Sequence, residues 1–105
     1  MSPDLSAHFP QAEIEQFCHR WKITELAAFG SVLRQDFSPE SDIDLLVTFD
    51  PEVHWTLFDM VHMRDELSAL LGREVDLVSR RGVETSRNPI RRDAILSSAR
   101  PIYAA

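Results

Sequence analysis

Cysteine is nearly absent. Cys18 is the one cysteine among 105 residues, so no disulfide can close within the chain and no cysteine-based metal cluster can form. It falls on the apolar side of an expected helix, where a core thiol is the natural reading. Long apolar runs are absent too. None approaches the roughly 20 residues that a membrane span needs, and the opening MSPDLSAHFPQ has neither a basic nor an apolar segment of the kind that directs secretion. A cytoplasmic chain with no membrane association is the expectation. Positive charge is scarce, with 11 Lys and Arg against 17 Asp and Glu and a net charge of −6. Direct nucleic-acid binding rests on a basic surface and is not expected. An acidic surface suits solubility or a basic protein partner. The four histidines, His8, His19, His54 and His62, show no metal-ligand spacing.

What is present is an ordinary globular composition, 44% hydrophobic and 27% charged, at a length that accommodates one domain. Residues 1–8 read as a loose tail and 9–105 as a single domain. Ile14, Phe17, Cys18 and Trp21 recur at helical spacing, which predicts a helix from Pro10 to about Trp21. Ile23–Phe29 reads as a strand ended by Gly30. Ser31 can cap a short helix to about Asp36, and 37–41 reads as a turn. DIDLLVTF, Asp42–Phe49, is the strongest strand. It alternates at first and then turns continuously apolar, as a buried central strand with a polar entry does. A helix over Thr56–Leu71 presents Met60, Met63, Leu67, Leu70 and Leu71, with Gly72 as its stop. Glu74–Ser79 is a third strand. A polar stretch follows to Asn88. A last helix over Pro89–Arg100 is expected to turn Ile90, Ala94 and Ile95 inward. An edge strand through Ile102 and Tyr103 closes the chain.

The chemistry concentrates around FGSVLRQDFSPESDIDLL, Phe29–Leu46. Asp42 and Asp44 are two apart on a strand, so they point to one face. Two ionised carboxylates that close repel one another unless a cation lies between them. Mg²⁺ takes such oxygen ligands and commonly shares them with substrate phosphates. Asp76 is a third acid in an otherwise apolar strand, an expensive place for it. If that strand lies beside the second, the three acids could hold two metal ions for in-line phosphoryl or nucleotidyl transfer. Asp76 could also help deprotonate an attacking hydroxyl. Gly30 and Ser31, where a strand gives way to a helix, form a place for phosphate, and Arg34 could reach it. Arg80, Arg81, Arg87, Arg91 and Arg92 gather positive charge near the C-terminus. They read as a solvated face or as a means of steering an acidic substrate. Trp55, Leu57 and Phe58 open the long helix as an aromatic and aliphatic cluster, read chiefly as core, with any exposed part read as an oligomer or partner contact.

These residues resemble the minimal nucleotidyltransferases, the MNT branch of the polymerase-β-like superfamily. The motif of that branch is Gly-Ser, ten residues, then Asp-x-Asp, and here Gly30-Ser31 is followed by the ten residues 32–41 and then Asp42-Ile43-Asp44. SDIDLLV and the later VDLV, Val75–Val78, are similar to the family's strands, and the resemblance runs from about Phe29 to the end. It implies an α/β (α+β) fold, a small mixed sheet with helices packed mainly on one side. By the same match, Gly30, Ser31 and Arg34 would bind nucleotide. Asp42, Asp44 and Asp76 would be catalytic and would hold Mg²⁺ with ATP as substrate. One departure is Gln35-Asp36 after Arg34, where many relatives have glycine, so Arg34 follows the family less closely than the acids do.

The resemblance extends to the antitoxins of HEPN–MNT toxin–antitoxin pairs. It implies a protein adenylyltransferase that moves AMP from ATP to a tyrosine of a HEPN ribonuclease toxin and neutralises it. Assembly as a homo- or hetero-oligomer is left open. A second reading is an antitoxin that inhibits its HEPN partner by binding alone. A nucleotidyltransferase acting on a small molecule ranks third.

Overall fold

The computed structural model describes residues 9–30 and 42–105. The expected tail at 1–8, the short helix from Ser31, Arg34 and the turn at 37–41 lie outside them. Eight elements run in the order α1 (Gln11–Arg20), β1 (Ile23–Phe29), β2 (Ile43–Phe49), α2 (Leu57–Leu71), β3 (Val75–Ser79), α3 (Arg80–Glu84), α4 (Pro89–Ser98) and β4 (Arg100–Ala104).

Local sequence explains the boundaries. α1 buries Ile14, Phe17 and Cys18, the stripe its spacing predicts. Thr56 caps α2 in a reciprocal box: its hydroxyl accepts from the Asp59 N–H, and the Asp59 carboxylate accepts from the Thr56 N–H. Gly72 ends α2 in the left-handed conformation at φ +68°, which costs glycine little. Asn88 caps α4 by accepting from the Arg91 N–H, with Pro89 at its first turn. The polar stretch after β3 contains one short helix, α3, capped by the Ser79 hydroxyl.

The four strands form one sheet in the order β3-β2-β1-β4. β1 pairs antiparallel with both β2 and β4. β2 and β3 are parallel, and α2 makes the crossover that parallel neighbours require. β2 is therefore central and β3 is an edge. β4 forms the other edge, as the Ile102–Tyr103 segment predicts.

Alternation along the strands divides the core. Ile43, Leu45 and Val47 of β2 join Leu26 and Ala28 of β1 and the inner residues of α1 and α2 in the larger cluster. Leu46, Ala27 and Phe29 face the other way, where Val83 of α3 and Ile95 of α4 meet them. The main core thus lies on one face, as expected of this fold, and a smaller cluster lines the opposite face. Trp21 and Trp55 tie α1 to the approach of α2. Their rings meet edge-on with centroids 5.2 Å apart, Trp55 Nε1 donates to the Trp21 carbonyl at 2.8 Å, and Trp21 Nε1 donates to Glu66 at 3.0 Å.

Two expectations are corrected. α4 turns Ile95, not Ile90 and Ala94, to the core: Ile90 is 82% exposed and Ala94 is exposed. The residues of α4 that meet the sheet-side cluster are Ile95 and Leu96, followed by Ala99, with Arg92 half-buried beside them. At the start of α2, Trp55 packs, but Leu57 and Phe58 are 79% and 80% exposed, because Thr56 and the capping box point this first turn away from the sheet.

Met63 and Leu67 are fully buried beneath β2 and β3. Truncating Leu67 to alanine removes transfer energy and leaves a cavity, so Leu67→Ala should lower stability by about 2–5 kcal/mol in urea unfolding, whereas Phe58→Ala on the same helix should stay within roughly 0.5 kcal/mol of wild type.

Candidate active site

The acids converge through strand register. In the parallel pair β2–β3, Asp44 lies directly opposite Asp76, so two carboxylates stand side by side on one face, their strands about 4.8 Å apart. Asp42, two residues before Asp44 and just ahead of β2, is exposed. Asp44 is half-buried and Asp76 exposed at the sheet edge. This is the face lined by Leu46, Phe29 and Ala27, under α3 and α4.

Across the antiparallel pair, Asp44 faces Phe29, and Gly30 follows at φ +73°. A Cβ on Gly30 would run into Asp44 Oδ2 and would lie 3.3 Å from Asp44 Cγ. Glycine is favoured by its backbone conformation, and a Cβ there would have to displace the carboxylate against it. The Gly-Ser turn and the Asp-x-Asp strand are joined by this contact. Ser31 and Arg34 are not among the described residues, so only the glycine of the phosphate-side motif is placed.

The electrostatics follow from this crowding. Burial pushes the Asp44 carboxyl above its ordinary range, the charges of Asp76 and Asp42 push it further, and Arg91 pulls it back. Arg91 is therefore a cation within the field of the acids, brought there by α4. Arg80 is engaged elsewhere: its guanidinium donates to Thr48 Oγ1 at 3.1 Å and to Glu25 at 3.0 Å, bracing α3 against β1 and β2 on the same face. Arg92 lies 3.4 Å from Asp93. The sequence reading names Arg91 among five arginines that could steer an acidic substrate but gives no ground for separating it from Arg80 and Arg92. The Asn88–Pro89 start sets the phase of α4 and was the available signal, since Arg91 lies one turn before Ile95.

Among the described residues no three His, Cys, Asp or Glu side chains close into a ready-made metal cluster. The donor chemistry nonetheless fits Mg²⁺. Asp44 and Asp76 offer hard oxygen ligands in adjacent strands, their mutual repulsion favours a cation, and this ion characteristically takes few carboxylates and completes its shell with water and phosphate.

The Nucleotidyltransferase domain profile matches residues 13–101. The chain belongs to the nucleotidyltransferase domain family. The protein adenylyltransferase MntA of Thermococcus cleftensis is 32% identical over 74 residues, 70% of this chain and 73% of that protein. Alignments with curated relatives from Methanocaldococcus jannaschii span 58% to 76% of those proteins' lengths. Among solved structures, a chain provisionally designated a minimal nucleotidyltransferase is 35% identical, covers 88% of each chain and has a TM-score of 0.67. The same fold recurs at 18% identity in two toxin–antitoxin complexes. One, with AMP-PNP, has a TM-score of 0.71 over 92% of this chain and 75% of that one. The other, of the tri-AMPylated Shewanella oneidensis HEPN toxin with MNT antitoxin, has a TM-score of 0.61 over 90% and 70%. The expected resemblance to minimal nucleotidyltransferases, with their mixed sheet, is borne out. No helix among the described residues is long and apolar enough to cross a membrane.

Two outcomes follow for this nucleotidyltransferase. Because the folded chain holds Asp44 above its ordinary value of 3.8, ionising it opposes folding. The penalty is absent below that value, grows as pH rises through the folded value, and is complete above it. Asp44→Asn should therefore raise Tm at pH 7 relative to wild type, a gain that disappears in melts near pH 3. Gly30→Ala should cost more than about 1 kcal/mol and displace the Asp44 carboxylate, which chemical unfolding and the Asp44 side-chain NMR signal would report.

Proposed function

We propose that this chain is a protein adenylyltransferase antitoxin, moving AMP from ATP to a tyrosine of a HEPN ribonuclease toxin and thereby neutralising it. The observation that carries the reading is Asp44 beside Asp76 in adjacent parallel strands, with Asp42 on the same face and Gly30 against Asp44. The relatives support it: one is named a protein adenylyltransferase, one structural neighbour holds AMP-PNP, and another contains an AMPylated HEPN toxin.

In this reading Asp42, Asp44 and Asp76 would hold Mg²⁺, two ions when ATP is present, and Gly30, Ser31 and Arg34 would lie on the nucleotide side. The ions would supply charge neutralisation for the triphosphate and the reacting oxygens. The chain's own residues do the rest. Asp44, held by Gly30 and the sheet, fixes the position of the acids. Gly30 leaves room for close backbone approach by a phosphate. Asp76, exposed at the sheet edge, accepts the proton of the tyrosine hydroxyl. The tyrosine oxygen bonds to the α-phosphorus as the bond to the bridging oxygen breaks in line, and pyrophosphate leaves.

The experiment is the intact mass of a co-expressed HEPN partner after incubation with this protein, ATP and Mg²⁺, with wild type beside Asp42→Ala/Asp44→Ala. Wild type should add AMP masses, mapped to tyrosine by peptide sequencing, and the double variant should add none. An unchanged partner mass with a stable complex and full neutralisation would instead establish an antitoxin that acts by binding alone.

A further inference from the structure

Apolar surface that the core leaves uncovered gathers at the start of α2. Leu57 and Phe58 are 79% and 80% exposed and Val61 is 37% exposed, while Met63 and Leu67 on the inner side of the same helix are buried. The first turns of α2 are thus apolar on both sides, and a helix segment of that kind is ordinarily covered on both. A cavity of about 390 Å³ adjoins these turns, since Trp55 before them and Met60 within them both line it. Met60 stands one turn beyond Leu57, on the same side of the helix. Asp50, Arg81 and Glu84 add charge of both signs to the lining. The cavity lies at the far end of β2 from the acids: Phe49, also in its wall, is five residues and about 17 Å along the strand from Asp44.

We infer that this face is a two-fold interface between two copies of this chain, with Leu57 and Phe58 of each copy seated in the cavity of the other, beside Trp55 and Met60. Two observations favour a second copy over a different partner. A two-fold contact joins one patch to itself, so it needs protrusion and recess side by side on the same surface. Here exposed apolar side chains and an apolar-walled cavity are neighbours. The charges fit as well. Among the described residues Arg81 and Glu84 make no ion pair, and Arg81 of one copy has Glu84 or Asp50 of the other to meet. A chain of net charge −6 repels its like over most of its surface, and a patch carrying both signs is where that repulsion is relieved. A basic partner would instead be drawn to acids alone. Pairing at this end of the sheet leaves Asp44 and Asp76 open, and the inference stands independently of the adenylyltransferase reading.

The test is sedimentation equilibrium of the whole chain alone, read over roughly 1–200 µM because association follows mass action. Wild type should reach twice the 12.0 kDa chain mass. Leu57→Asp and Phe58→Asp each put a carboxylate where the facing cavity is apolar, and each should weaken the dimer at least tenfold. Ile90→Asp, at the exposed apolar residue of α4, should leave it unchanged. Tryptophan emission should shift to shorter wavelength as wild type dimerises, and not in Phe58→Asp. A wild-type chain that stays at 12.0 kDa throughout would overturn the interface, whatever the variants do. So would a dimer that Leu57→Asp and Phe58→Asp leave intact. A monomeric wild type whose binding to a co-expressed HEPN toxin is weakened by Phe58→Asp would also overturn it and give the face to the toxin.

Discussion

The parallel register of β2 and β3 is the constraint on which the site depends. It sets Asp44 opposite Asp76, so two acids separated by 32 positions in the chain become lateral neighbours. Parallel strands cannot be joined by a tight turn, and α2 is the crossover that makes the pairing possible. A slip of one residue would send Asp76 to the opposite face and put Val75 or Leu77 in its place. The buried contacts of Met63 and Leu67 under these strands therefore do more than stabilise the domain. They hold the register that places like charges together; burial first, and then those charges, keep the Asp44 carboxyl above its ordinary range.

The sheet separates these roles by face. One face carries the larger core and the tryptophan pair, and it asks nothing of chemistry. The other carries the acids, the smaller cluster with Val83 and Ile95, and the brace of Arg80 to Thr48 and Glu25. α3 and α4 are short, but they cover this face and deliver Arg91. Gly30 ties β1 to β2: the residue that ends β1 abuts the Asp44 carboxylate on β2. A nucleotidyltransferase domain built this way gathers the Gly30 turn, the acids and Arg91 from four segments of the described chain.

Much of this was legible in the sequence because it is periodic. Helical spacing gave α1, and β1 was read with its observed bounds; Thr56 and Gly72 marked the ends of α2. The two-residue spacing of Asp42 and Asp44 placed them on one face without any structure. Asp76 could be singled out as costly in an apolar strand, but its partner depended on strand order, which local pattern does not encode. The contact of Gly30 with Asp44 was equally non-local. α4 was misread for a physical reason. Its inward contacts are Ile95, Leu96 and the following Ala99, while apolar Ile90 sits outside, so hydrophobicity alone places Ile95 correctly and Ile90 and Ala94 wrongly. Leu57 and Phe58 misled similarly, since apolar residues at a capped first turn need not reach the core.

On the proposed function, the acids on β2 and β3 would form a site that is completed when metal and nucleotide arrive together. Calorimetric titration of AMP-PNP, with and without Mg²⁺, into wild type and Asp44→Asn tests it most directly. Binding to wild type should require Mg²⁺ and weaken at least tenfold when Asp44 becomes asparagine. Binding of the same strength without Mg²⁺, or undiminished in Asp44→Asn, would contradict it.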